Sequence, residues 1–114
     1  MKTIKKRINI PIYNTYLQVI ITDKFRKYAK KYEFEGDHRN YDGFVQVREI
    51  NDNHAIFYLL VTRRELSYKA IVHEAKHIVN KIFNNNGIGL DPMNDEAECY
   101  FLGWLADEIH KCFK

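Results

Sequence analysis

The strongest constraint on this chain is a stretch whose apolar side chains recur with the period of a helix. At about 100° per residue, Ile71, Val72, Ala75, Ile78, Val79, Ile82 and Phe83 fall on one wide arc. A segment patterned in this way is a helix that lays that arc on a core. Its other side carries His73-Glu74-Ala75-Lys76-His77. Residues four apart on a helix stand one above the other. His73 and His77 therefore present two imidazoles together, close to opposite the arc, with Leu66 and Ala70 beside them. Glu74 lies at the edge of their face. Lys76 points toward the rim of the helix, where its long stem reaches water.

Two imidazoles at this spacing suit one divalent metal ion, and Zn2+ is the expected cofactor. Glu74 stands where a general base is needed to take a proton from a water that such an ion activates. The bland alternative is a pair of histidines satisfied in a core or left in solvent. The apolar arc already marks the core side, so the histidines look outward, and a cleft is the expected setting.

The remaining elements predict an α+β domain with the order β-β-α-β-β-α-α. Ile8, Ile10 and Ile12 alternate with Asn9, Pro11 and Tyr13, which is strand period, and Pro11 marks an edge or a bulge. Asn14-Thr15 reads as a turn into a second strand, Tyr16 to Thr22. Asp23 can cap a helix over Lys24 to Tyr32. Glu33 to Gly43 is polar and reads as a loop. Phe44 to Ile50 and Ala55 to Val61 read as two further strands, joined at Asn51-Asp52-Asn53. Thr62-Arg63-Arg64-Glu65 has the form of a capping box that opens the motif helix, which runs to about Phe83 and closes at Asn84-Asn85-Asn86-Gly87. A last helix begins at Asp91-Pro92 or Asn94 and reaches about His110.

Residues 1–114 are expected to form one domain with a single core. The net charge of +3 is small and the basic residues are scattered along the sequence, so nucleic acid is not an expected partner. Neither is a membrane: the segment Ile8 to Thr22 is broken by Asn9, Pro11, Asn14, Thr15 and Gln18, too polar for a signal or a span. Cys99 and Cys112 sit in one expected helix, roughly 20 Å apart and beyond disulfide reach. That usage fits a reducing compartment, and the expected location is the cytoplasm.

A catalytic zinc generally takes three protein ligands. After His77 the candidates are Asp91, Asp95, Glu96, Glu98, Asp107, Glu108 and His110. Glu96 is preferred. It shares a helix face with Cys99, Tyr100 and Gly103, and a helix packing through Gly103 would bring Glu96 to the motif helix. Glu98 lies about 160° away, toward Phe101, Leu102 and Leu105.

With the motif, a short gap and a glutamate opening the next helix, the chain resembles the gluzincin pattern of zinc peptidases. It looks most like small phage- or prophage-encoded zincin-like proteins, whose D-E-x-x-A-Y-x-x-G segment stands here as Asp95-Glu96-Ala97-Glu98-Cys99-Tyr100-Phe101-Leu102-Gly103, with Cys99 in place of alanine. The resemblance covers Thr62 to Ala106. It implies a minimal zincin-like fold with Ala55 to Val61 as the edge strand bordering the cleft, His73, His77 and Glu96 as zinc ligands, and Glu74 as the base. It also implies a metallopeptidase or related amide hydrolase acting on a peptide or protein, or else a zinc-binding interaction module with little turnover. Residues Phe57 to Val61 would align an extended substrate by strand addition. Tyr100, Tyr68 and His110 remain open as donors to a developing oxyanion.

Overall fold

The structure is a computed structural model that describes residues 3–31, 43–51, 54–61 and 67–113, with residues 25, 43–51, 54–56 and 61 described by backbone alone. The expected capping box at 62–65 lies outside the described residues, as do most of the loop at 33–43 and the turn at 51–53.

The class is α+β. Strands β1 (Ile4–Ile10) and β2 (Thr15–Ile21) form an antiparallel hairpin. Its connection is a 3-10 turn, Pro11–Tyr13, closed by Asn14 in the left-handed region at φ 49°. Pro11 thus ends β1 instead of lying inside a strand, and Ile12 is left exposed. The reason is local: proline fixes φ and offers no N–H for the ladder. A short helix α1 (Phe25–Lys31) follows, then β3 (Gly43–Asn51) and β4 (His54–Val61).

The sheet runs β1-β2-β4-β3. β4 lies between two partners, parallel to β2 and antiparallel to β3. This corrects the expectation that residues 55–61 border a cleft as an edge strand. The side chains give the cause: Phe57 and Leu59 are buried on one face of β4 and Leu60 on the other. A strand apolar on both faces belongs inside a sheet.

Helices α2 (Tyr68–Asn85) and α3 (Glu96–Lys111) cover one face of the sheet. They run antiparallel, since Tyr68 meets His110 at one end and Phe83 meets Phe101 at the other. α2 starts later than the expected opening at Thr62. Ser67 is its cap, with Oγ accepting from the Ala70 N–H at 3.1 Å. The main core gathers Ile8, Leu17, Val19, Ile21, Phe57 and Leu59 from the sheet with Ala75, Ile78, Val79, Ile82, Leu105 and Ile109 from the helices. Tyr13 and Phe101 close its edge with ring centroids 5.2 Å apart. On the far face α1 covers Ile20 and Leu60 with Ala29.

Leu17 has no exposed surface and sits between β1 and β4. Leu17→Ala should lower unfolding free energy by about 2–5 kcal/mol, read as a shifted urea midpoint.

Candidate metal centre

The motif sits in the middle of α2, so its geometry follows from how that helix lies on the sheet. Ile71, Ala75, Ile78, Val79, Ile82 and Phe83 are buried as the pattern requires. Val72 departs from it and is 45% exposed. His73 and His77 are exposed, and their Nε2 atoms are 3.2 Å apart with ring planes at 79°. One ring N–H can donate to the other nitrogen in this arrangement.

Glu74 is buried, not at the rim where the wheel places it. Its Oε1 is 3.8 Å from His73 Nε2, and its Oε2 has no hydrogen-bond partner among the described groups. Burial pushes the Glu74 carboxyl above the ordinary glutamate value, while His73 and then His77 pull it back down. His73, Glu74 and His77 form a group whose ligand atoms all lie within 4.8 Å of one another.

These residues fit a metal ion. Two nitrogens bound to one tetrahedral zinc at 2.0–2.1 Å lie roughly 3.3 Å apart, close to the separation found. A buried carboxylate oxygen without a partner, next to two imidazoles, is the kind of group that a cation or a protonated donor would satisfy. Among the described residues, His73 keeps 67% of its side-chain surface open to solvent.

The structure does not bring Glu96 to this group. Glu96 is exposed at the start of α3. Nor does another helix pack through Gly103, which faces open space with nothing near a would-be Cβ. The side of α3 that meets α2 is the one bearing Glu98, Phe101, Leu102 and Leu105. Glu98 pairs with Lys76, whose ammonium also donates to Asn80 Oδ1 at 2.9 Å. Sequence alone does not predict this cross-helix clasp. Its one visible sign in the sequence is a lysine inside the motif with a glutamate on the apolar side of the next helix. Of the candidate oxyanion donors, Tyr68 Oη and His110 Nε2 hydrogen-bond each other at 3.1 Å, and Tyr100 is 76% exposed. His110 is not part of the histidine group. Cys99 and Cys112 are both free, the first exposed and the second buried.

No known protein family, curated protein or solved structure matches the chain. No described helix is long and apolar enough to cross a membrane.

The buried carboxylate sets an expectation for stability without metal. A carboxyl whose folded pKa is raised contributes stability that is fully present below its unfolded pKa and lost as pH rises through the folded one. Glu74→Gln should therefore stabilise the metal-free protein at neutral pH, on the order of 1 kcal/mol. Thermal melts in EDTA should show that advantage shrinking as the pH is lowered.

Proposed function

We propose that this chain is a zinc-dependent metallopeptidase or related amide hydrolase, with His73 and His77 holding the ion and Glu74 acting as general base. The observation that carries this reading is the pair of Nε2 atoms 3.2 Å apart beside a buried carboxylate oxygen with no hydrogen-bond partner among the described residues. We read the domain as a minimal zincin-like one with the order β-β-α-β-β-α-α, a reading supported by the mixed sheet beneath α2 and the antiparallel α3 beside it.

A bound zinc ion supplies Lewis acidity that polarises a scissile carbonyl and acidifies a water molecule. The chain's own residues supply the rest. His73 and His77 fix the position of the ion through nitrogens already converged. Glu74, with its proton affinity raised by burial, takes a proton from the attacking water and returns it to the leaving amine. The substrate is a peptide or protein segment. It does not pair with β4, whose two edges are already occupied.

The resemblance makes Glu96 the third ligand. Its exposed position requires the first turn of α3 to bring that carboxylate to the imidazoles. Glu98 is the competitor, since it already touches the motif helix through Lys76. Zinc titrations decide between them: Glu96→Ala should weaken binding more than Glu98→Ala, and the reverse order assigns the role to Glu98.

A second reading, a zinc-binding module with little turnover, is favoured by one observation. Among the described residues His73 keeps an open setting, with 67% of its side-chain surface exposed. Purified protein should take up near-stoichiometric zinc, and His73→Ala or His77→Ala should lose it; failure to bind zinc ends both readings. Glu74→Gln should keep zinc and lose peptide cleavage by about 100- to 10,000-fold. Zinc binding with no cleavage by either protein leaves the module, and equal cleavage by both removes Glu74 from the chemistry.

A further inference from the structure

The sheet has a second face, and its chemistry differs from that of the first. Lys5, Arg7 and Asn9 of β1 stand opposite Ile20, Gln18 and Tyr16 of β2, and Gln18 stands opposite Tyr58 of β4. Side chains alternate along a strand, so these positions share the side away from α2 and α3. α1 covers one part of it, over Ile20 and Leu60. The remainder interleaves cations with phenol rings.

The Arg7 guanidinium lies over the Tyr16 ring, 4.0 Å from its centroid. The register places Tyr16 diagonal to Tyr58, within reach for aromatic side chains. Tyr58 packs with Tyr28 against the small cluster under α1. Around the Tyr28 ring stand the ammonium groups of Lys5, Lys27 and Lys31, at 5.4, 5.7 and 5.7 Å from its centroid. Charge follows the same division. The first 32 residues hold nine Lys and Arg against one acidic residue, Asp23, whereas the remainder hold nine against fourteen. The small net charge of the chain therefore conceals a strongly basic hairpin and α1. Basic residues scattered in the sequence are gathered by strand period and by the position of α1.

We propose that this face binds single-stranded nucleic acid, with Lys5, Arg7, Lys27 and Lys31 meeting phosphates and Tyr16 offering a ring for base stacking. The combination selects this partner. Cations alone would suit any polyanion, but a row of half-buried phenol rings among them supplies the π-faces that unpaired bases use. An acidic polypeptide would leave those rings unused. Duplex reading calls for an element that enters a groove, and seven-residue α1, packed on the sheet, does not offer one. The site lies across the sheet from the histidine pair and does not depend on it.

The test is fluorescence anisotropy with a labelled oligothymidylate of about 15 nucleotides. Wild type should bind it at low salt, with a log–log salt slope of about −2 to −3 from three or four phosphate contacts. Tyr16→Ala should weaken binding about 5- to 100-fold. Lys5→Gln with Arg7→Gln should weaken it about tenfold and flatten the slope by about 1.4. Lys27→Gln with Lys31→Gln, two exposed changes on α1, should do the same and serves if the strand variants fail to fold. EDTA should leave binding unchanged. Absence of oligonucleotide binding overturns the proposal. So does equal affinity for a polyglutamate peptide, for duplex of the same length or for vesicles of anionic lipid, and so does full affinity in the lysine and arginine variants or loss of binding in EDTA.

Discussion

The burial of one face of α2 against the sheet determines where every other group in the candidate centre stands. Ala75, Ile78, Val79 and Ile82 retain no exposed surface. The three larger side chains among them each contribute about 1.5–3 kcal/mol by leaving water. That total fixes the rotation of the helix about its axis, and the imidazoles at His73 and His77 face outward as a consequence. Glu74 is carried inward by the same rotation. It precedes Ala75 and stands three residues from Ile71 and four from Ile78, so turning it to water would expose apolar surface on both. An unpartnered buried polar group costs about 1–3 kcal/mol, which is less than the packing that enforces it. The carboxylate with raised proton affinity is thus a product of helix register, held by hydrophobic contacts that have no chemistry of their own.

α3 sets the other boundary of the centre. Leu105 and Ile109 anchor it to the core, and Phe101 packs against both Phe83 and Tyr13. Its packed side bears Glu98, and the carboxylate reaches Lys76 between the two histidines in sequence. The unpacked side bears Glu96, Tyr100 and Gly103. The two glutamates of its first turn are thus divided, Glu98 to a clasp on the motif helix and Glu96 to the solvent.

Local patterns in the sequence carried much of this architecture. The apolar arc of α2, the alternation in the hairpin and the turn at Asn14 are each written within a few residues, so periodicity and turn chemistry reveal them. What escaped is non-local. The parallel pairing of β2 with β4 joins residues about forty apart, and nothing in either strand names its neighbour. The sign of an interior strand was nevertheless present in Phe57, Leu59 and Leu60, whose apolar character does not alternate. Val72 and Glu74 exchanged their expected exposures, because wheel angle gives the direction in which a side chain leaves the helix and not what tertiary packing lays over it. Gly103 permits the close approach of another helix, but permission is not contact, and its face is open. The convergence of His73 and His77 follows from spacing within one helix, whereas which carboxylate of α3 faces α2 depends on the helix pairing.

Electrostatics ties the clasp to the centre even if Glu98 never touches an ion. Lys76 lies within the motif, and a dication held by His73 and His77 would be repelled by its ammonium. Screening by water is incomplete for a side chain that is only partly exposed. Glu98 neutralises that ammonium and draws it toward α3 and Asn80. Burial of Glu74 acts in the same direction, because its carboxylate can ionise cheaply only beside positive charge. Among the described residues the site therefore holds one acidic group with an unpartnered oxygen and one basic group whose charge is already cancelled. A divalent ion bound between the imidazoles would satisfy the first without disturbing the second, and that asymmetry is what distinguishes this helix from one that simply displays two histidines to solvent.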